Sequence, residues 1–204
     1  MKPIQRSFTA AMIIAALALT ASLAAGQAQA PKAETPVLLA SCGQSPGPVM
    51  LKVILQKLDL KYELNALATP ADLKAKAQAG TPYKSLVIVM GASLKGMGAA
   101  GISIDDELKR SAELIDEARK EGIKIIGAHI EGMKRRSQGA AAGDTTDEQT
   151  IDAVAPNSDL LIINKEGDSD GRFTTISKAR NIPMIVVEKN LDLVTELGKL
   201  FGKS

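Results

Sequence analysis

Residues 36–50, PVLLASCGQSPGPVM, decide the fold of this chain. The apolar run at residues 37–40 predicts a β-strand, and the small and polar residues 41–47 predict a tight loop. The apolar positions between residues 48 and 58 then predict a helix with a broad face suited to packing on a sheet. A strand, a loop and a helix in this order are the opening unit of a parallel α/β sheet.

Five further apolar segments follow, and each ends in a loop of Gly, Ser, Lys, His or Glu. These strand candidates are residues 62–66, 86–90, 160–164, 184–187 and a stretch within 123–130. The run at 86–90 is apolar at every position, which is typical of a parallel strand with helices on both faces. Helical segments with capping signals separate the strands. The sequence therefore predicts a three-layer α/β/α sandwich with a mostly parallel sheet of five to six strands.

Two strand orders are compatible with this alternation. A flavodoxin-like order, 2-1-3-4-5-6, is favoured, and the Rossmann order, 3-2-1-4-5-6, is the alternative. In both, the loops after the strands meet at one edge of the sheet. Ligands in such folds bind outside the carboxyl ends of the strands, at the switch point beside the first strand. A functional site is therefore expected at this edge.

The first thirty residues predict a signal peptide. Lys2 and Arg6 precede an uncharged Ala- and Leu-rich run, and small residues follow where cleavage would occur. Export to the periplasm or secretion is therefore expected, with no membrane attachment after cleavage. A retained membrane anchor is the alternative. Residues 31–36 are interpreted as a linker, and residues 37–204 as a single α/β domain.

Composition excludes several classes of function. The chain has 25 Lys and Arg against 23 Asp and Glu, and two of the basic residues lie in the predicted signal peptide, so the predicted mature domain is formally neutral. Neutral charge and only 2% aromatic residues argue against nucleic-acid binding. The one cysteine, Cys42, excludes an internal disulfide, and no group of Cys or His has the spacing of metal ligands. No metal site is predicted.

The loop after the first strand is the first candidate wall of the site. Gly43 permits a tight backbone turn, and the amides of Gln44 and Ser45 would face outward at the start of a helix, where the helix dipole favours an anion. The hydroxyl groups of Ser41 and Ser45 would add hydrogen bonds. A capped turn without any ligand is the alternative interpretation.

The glycine-rich segment after the third strand is the second candidate wall. Gly96 and Gly98 would let the backbone approach a ligand, Ser93 would donate a hydrogen bond, and Lys95 would supply a positive charge for a phosphate or carboxylate. The G-x-G-x-x-G spacing at residues 96–101 lacks the strand context of a dinucleotide site. A flexible connection is the alternative.

No cofactor is predicted. The first loop is similar to the phosphate loop of flavodoxins, in which a glycine lies between hydroxyl residues. However, Cys42 occupies a position where a Thr or Ser is usual, and the later loops lack the aromatic residues that a flavin needs. Flavin binding is therefore not expected.

His129 is the only histidine, and it falls at the end of the fourth predicted strand. With Ser41, Ser45 or Cys42 as nucleophile, His129 would act as general base; the two serines are the candidates for a hydrolase or transferase. The G-x-S-x-G elbow of lipase-like hydrolases is missing. A hydrogen-bonded histidine at a strand end is the alternative, so no catalytic residue is assigned.

Charged residues in the later loops complete the candidate site. Arg135 and Arg136 belong to a basic run that would close over an anion, although such runs are more often solvated surface. Lys165 and Glu166 follow the fifth predicted strand and add mixed charge. Together with the first two walls, these residues predict the binding of a small anionic ligand.

Several motifs resemble one protein family. They are SCGQSPG (41–47), LATPADL (67–73), MGASLKGMGAAGISIDDEL (90–108), HIEGMKRRSQ (129–138) and NKEGDSDGRFT (164–174). From residue 36 almost to its C-terminus, the chain resembles a family of exported bacterial proteins that is catalogued as a domain of unknown function. The resemblance implies export and a Rossmann-like or flavodoxin-like fold, and it implies no reaction.

Three functional hypotheses follow from these observations. The leading one is a periplasmic or secreted domain that binds a small anionic ligand at the loop edge. The second is a hydrolase or transferase that uses Ser41 or Ser45 with His129. The third is an accessory protein of an envelope or transport complex, with the loop edge as its protein interface.

Overall fold

The computed structural model describes residues 31–136 and 145–203. The predicted signal peptide, residues 1–30, lies outside the described residues. Within them, six β-strands form one parallel sheet in the order β2-β1-β3-β4-β5-β6. The α/β class and the flavodoxin-like order are confirmed, and the Rossmann order is wrong.

The elements alternate along the chain as the sequence predicts. The strands are β1 Val37–Cys42, β2 Tyr62–Leu64, β3 Ser85–Met90, β4 Lys124–His129, β5 Leu160–Asn164 and β6 Met184–Val187. The helices are α1 Gly47–Lys57, α2 Pro70–Gln78, α3 Leu94–Ala100, α4 Ile104–Lys120, α5 Thr146–Val154, α6 Arg172–Arg180 and α7 Leu193–Leu200. Two 3₁₀ turns border the site and are called here the β4 turn, Gly132–Arg135, and the β5 turn, Lys165–Asp168.

The sheet is covered on both faces, and alternate residues of its central strands point into different cores. In β1, Leu38 packs in one core and Leu39 in the other. The first core includes residues of α2, α4, α5 and α6, and the second includes residues of α1 and α7. All six residues of β1 and of β3 are buried. The unbroken apolar pattern of these strands therefore has the predicted cause.

The segment after β3 differs from the predicted loop, because residues 94–100 form helix α3. The Ser93 hydroxyl caps this helix by accepting a hydrogen bond from the Gly96 amide at 3.1 Å, and Gly101 ends it in the left-handed conformation. A Cβ atom on Gly96 would lie 2.1 Å from the Gln44 carbonyl oxygen. Gly96 thus allows α3 to pack on the first loop, which is a contact within the protein.

The segment predicted as a linker lies against the domain. The Ala33 amide donates to the Leu200 carbonyl at 2.9 Å, and the Ser85 hydroxyl donates to the Glu34 carbonyl at 2.7 Å. Ala33 is buried in the core shared with α1 and α7. In residues 31–136 and 145–203, no helix has the length and apolar character needed to cross a membrane.

The same substitution at two positions tests the burial of the sheet. Val89 in β3 is 0% exposed, whereas Val53 on α1 is 57% exposed. We expect Val89→Ala to lower the free energy of unfolding by about 2 kcal/mol, because it removes buried methyl groups and leaves a cavity. Val53→Ala should change it by less than about 0.5 kcal/mol. Chemical denaturation measures both, and equal losses would contradict this packing.

Candidate functional site

A cavity of about 460 Å³ opens at the carboxyl edge of the sheet. The loop after β1, helix α1, the β4 turn and the residues that follow β5 and β6 form its walls. The lining residues are Pro46, Met50, Ile130, Glu131, Gly132, Lys134, Arg135, Asn164, Glu166 and Asn190. The expected edge therefore carries the cavity, and most of its lining comes from the β4 and β5 loops.

The first loop contacts the protein's own groups at the position where an anion was expected. The Gly43 amide donates to Glu107 Oε1 at 2.8 Å, and the Gln44 side chain donates to the same oxygen at 2.8 Å. The Gln44 amide donates to the Ser41 hydroxyl at 3.0 Å. Gly43 has a φ of +104°, and a Cβ atom there would lie 2.4 Å from the Gly91 carbonyl oxygen. Gly43 therefore allows the β1 and β3 loops to touch.

The carboxylate of Glu107 is itself paired. Glu107 is 0% exposed, and Arg110 donates to its Oε2 at 2.9 Å. The same guanidinium donates to the carbonyl oxygens of Ala68 at 2.6 Å and Ser41 at 2.5 Å. The pair joins α4 to the end of β1 and to the loop before α2. Sequence reasoning missed it, although the i,i+3 spacing of Glu107 and Arg110 was an available signal.

The start of α1 is also occupied by a carboxylate of the protein. The Gly47 amide faces the Ser45 hydroxyl at 3.3 Å and Glu131 Oε1 at 3.1 Å. A negative charge at this position is favourable because of the helix dipole. Glu131 also pairs with Arg135, at 3.3 Å between Nε and Oε2. Ser45 and Glu131 therefore both contact the Gly47 amide at the start of the helix, near the position where the sequence predicted an anion.

Arg135 lies across the end of β3. Its stem packs on Gly91, and its guanidinium donates to the Ala92 carbonyl at 2.8 Å. The Ala92 amide donates to Asp147 Oδ1 at 2.7 Å, and burial raises the pKa of the Asp147 carboxyl above its ordinary value. Arg135 is thus the one predicted arginine that lines the cavity, and it is paired with Glu131 there.

Arg136 does not line the cavity, contrary to its expected role beside a ligand. Its side chain is 1% exposed and donates to Glu148 at 2.7 Å and to Asp170 at 2.5 Å. It also donates to the Gly167 carbonyl and lies over the Phe173 ring, 5.5 Å from the centroid. The hydrogen bonds from Arg136 to Asp170 hold the pKa of the Asp170 carboxyl below its ordinary value. Arg136 therefore pairs with carboxylates of the protein and not with a ligand, because a buried cation needs partners of opposite charge.

His129 is buried behind the β4 turn. It is 0% exposed, its Nε2 lies 3.0 Å from the Arg135 carbonyl, and its ring lies 5.0 Å from that of Phe173. Because a carbonyl only accepts, Nε2 carries the proton. Burial lowers the pKa of His129, and the nearby Arg136 lowers it further, whereas the hydrogen bond to Arg135 opposes this shift. His129 is therefore neutral near pH 7.

The described contacts of His129 include neither candidate nucleophile. Ser41 is 0% exposed and its hydroxyl accepts from the Gln44 amide, while the Ser45 hydroxyl accepts from the Gly47 amide. Burial raises the pKa of the Cys42 thiol to about 12, so this thiol stays protonated near pH 7. The geometry therefore brings no nucleophile together with a base at these residues.

The other predicted site residues are dispersed. Lys95 is exposed on α3 outside the cavity lining, and a Cβ atom on Gly98 would meet open space. Lys165 pairs with Glu188 at 2.5 Å on the surface, whereas its neighbour Glu166 lines the cavity. Among the described residues, no three His, Cys, Asp or Glu side chains are grouped as metal ligands.

Sequence reasoning missed two amides of the cavity wall. Asn164 ends β5, is 8% exposed, and accepts a hydrogen bond from the Glu166 amide at 3.1 Å. Its amide nitrogen lies 3.5 Å from Asn190 Oδ1, which brings the β5 and β6 loops together. The position of Asn164 at a strand end was an available signal. Asn190 had no comparable signal, because it lies beyond the end of the predicted strand at residues 184–187.

A buried and an exposed arginine test the role of Arg136. We expect Arg136→Met to lower the free energy of unfolding by about 3 kcal/mol, because it removes one of the two cations, Arg136 and Arg172, that pair with the buried carboxylate of Glu148. The control is Arg180→Met, which removes an exposed side chain at the end of α6. It should cost less than about 0.5 kcal/mol. Denaturation at pH 7 gives both values, and a small loss for the Arg136 variant would refute the network.

The pH dependence of stability tests the burial of His129. Because its pKa is lower in the folded protein than in the unfolded chain, the unfolded chain takes up the proton first as the pH falls below about 6.5. His129 therefore contributes stability above this pH that is lost on acidification, by up to about 1.4 kcal/mol per pH unit.

The control for this prediction is His129→Gln, which cannot titrate. The difference between the wild-type and variant free energies of unfolding, measured from pH 8 to 5, isolates the histidine from the carboxyl groups that titrate below it. The wild-type protein should lose more stability than the variant below about pH 6.5. Parallel curves would show that His129 titrates normally.

Among the solved structures that this chain resembles are two enzymes, and both resemble it only weakly. One is the crystal structure of a GDSL-like lipase from Bacteroides thetaiotaomicron VPI-5482. The match covers 76% of this chain and 71% of the lipase chain, with 16% sequence identity and a TM-score of 0.32. The other is the crystal structure of an acetyl xylan esterase, AlAXEase. That match covers 81% of this chain and 85% of the esterase chain, with 12% sequence identity and a TM-score of 0.35. Similarity at this level carries no argument about activity.

A family model matches most of the chain. A comparison with curated proteins gives no match. The family described as domain of unknown function DUF6305 matches residues 34–201, and this range contains every motif on which the resemblance rested. The resemblance is therefore confirmed, and the chain belongs to the DUF6305 family.

Proposed function

We propose that this domain binds a small molecule with an anionic group, and that the ligand occupies the cavity at the carboxyl edge. The observation that carries the proposal is Lys134. This residue is exposed, lines the cavity, and has no ion-pair partner among residues 31–136 and 145–203. An ammonium group in this state is available to a phosphate or carboxylate.

The size and lining of the cavity support a small ligand. Its volume, about 460 Å³, lies within the range of small-molecule sites, which is roughly 300–1,000 Å³. Pro46, Met50 and Ile130 supply an apolar wall, and Asn164 and Asn190 supply amide groups. Apolar walls with a few polar groups are typical of sites that orient a small molecule.

The proposed position of the anion lies at Lys134 and not at the first loop, where the sequence predicted it. Glu107 and Glu131 already accept the hydrogen bonds that the loop amides of Gly43 and Gly47 donate. An anionic ligand at the same amides would face two carboxylates, and this like-charge contact is unfavourable. Lys134 lies on the β4 turn and has no such competitor within hydrogen-bonding distance in the described part of the chain.

Two alternatives stay predictions from the sequence. A hydrolase or transferase that uses Ser41 or Ser45 with His129 gains no support from the contacts of these side chains. An accessory role in an envelope or transport complex would use the same loop edge as a protein interface. The proposed setting for all three functions is the periplasm or the extracellular space, which rests on the signal-like residues 1–30.

Native mass spectrometry of the protein, exported by its host and gently purified, tests the proposal. We expect a bound species of defined mass that is lost on denaturation. Lys134→Glu should lower its occupancy at least about tenfold, because the variant replaces attraction by repulsion. Lys178→Glu, which changes an exposed lysine on α6 outside the cavity lining, is the matched control. A bare wild-type protein, or equal occupancy in both variants, would count against the proposal.

A further inference from the structure

The charged side chains of the cavity wall comprise one ion pair and two side chains without an ion-pair partner among the described residues, called here the open charges. Four charged side chains line the cavity, and two of them, Glu131 and Arg135, pair with each other at 3.3 Å. The other two are Lys134 and Glu166. Both are exposed, and within the described ranges neither forms an ion pair with the other or with a third residue. The cavity therefore offers one free cation and one free anion among these residues.

The two open charges lie on turns that pack against each other. Glu166 is on the β5 turn, and a Cβ atom on Gly132 of the β4 turn would lie 3.2 Å from its Oε2. Gly132 has a φ of +59°, so the absence of a side chain there also suits the backbone. The Glu166 carboxylate is thus held against the turn that carries Lys134, and both groups face one cavity.

A neutral wall with separated charges disfavours a ligand that is only anionic. Such a ligand would satisfy Lys134 and bring its negative charge close to Glu166 and Glu131, at an electrostatic cost. A ligand that also carries a positive group satisfies both open charges at once. The apolar wall of Pro46, Met50 and Ile130 then accommodates the uncharged body of the ligand.

We infer that the ligand is a zwitterion of amino-acid or dipeptide size, with its carboxylate at Lys134 and its ammonium group at Glu166. This inference rests on the proposed function and specifies the chemical class of the ligand. The Asn164 side chain accepts a hydrogen bond from the Glu166 backbone amide at 3.1 Å and so orients the residue that receives the ammonium group. Glu166 is therefore the residue that distinguishes a zwitterion from a simple acid.

Four probes test the inference by NMR on the isotope-labelled chain, with the backbone amides of Gly132 and Glu166 as reporters. Leucine and glycyl-leucine are the zwitterions. 4-Methylpentanoate is leucine without its amino group, and 3-methylbutylamine is leucine without its carboxylate. We expect saturable chemical-shift changes with at least one zwitterion. The acid and the amine should bind at least about tenfold more weakly than that zwitterion, since each loses one charged hydrogen bond.

Neutral substitutions assign each charge to its partner. Glu166→Gln should weaken zwitterion binding about tenfold. The same variant should bind 4-methylpentanoate as well as the wild type or better, because a like charge is removed, whereas Lys134→Met should weaken the binding of both. The controls are Glu113→Gln and Lys178→Met, two exposed residues on α4 and α6 that do not line the cavity. These controls should bind like the wild type.

The outcomes separate the inference from the proposed function. If 4-methylpentanoate binds as tightly as the zwitterions and Glu166→Gln has no effect, the cavity binds acids and the zwitterion inference is overturned. If neither zwitterion binds the wild type, the inference is also overturned. In that case a bound mass that depends on Lys134 in native mass spectrometry would preserve the proposed function, and its absence would remove both.

Discussion

Buried pairs between arginine and carboxylate organise the edge of the sheet where the cavity lies. Glu107 with Arg110 joins α4 to the first loop, and Arg136 with Glu148 joins the β4 loop to α5. Removing a charge from water is costly, and the cost is tolerable only when its partners supply both opposite charge and hydrogen bonds. Arg110 and Arg136 meet this condition by also donating to backbone carbonyls. The pairs therefore determine which polar groups of the edge remain open.

This constraint explains why the unpaired charges of the cavity lie away from the usual binding position in this fold. Parallel α/β sheets bind ligands at the switch point, which here lies between β1 and β3. In this protein Glu107 accepts from the first loop, and Glu131 accepts from the start of α1. The protein's own carboxylates thus take the role of an anionic ligand at that point. The open charges, Lys134 and Glu166, are displaced to the β4 and β5 turns.

Two glycines at this edge also contact other parts of the protein at positions where the sequence suggested a ligand. Gly43 and Gly96 match a pattern that lets a backbone approach a ligand, yet each approaches another part of the chain. Gly43 meets the β3 loop and Gly96 meets the first loop, so the two loops and α3 interlock. Close backbone packing and close ligand approach demand the same residue, because both require the absence of a Cβ atom. A single sequence cannot tell which of the two a glycine serves.

The order and type of most elements follow from the sequence, because apolar periodicity and capping residues are local signals. The unbroken apolar run of β3 and the Ser103 and Asp106 capping box of α4 are examples. The alternation of strands and helices also predicted a site at the carboxyl edge, where the structure has a cavity. Only the tertiary structure decided which charges stay open there. Arg135 and Arg136 are neighbours in sequence, yet one lines the cavity and the other is buried. Their roles differ because partners from α5 and from the segment after the β5 turn, distant in the chain, determine where each charge is neutralised.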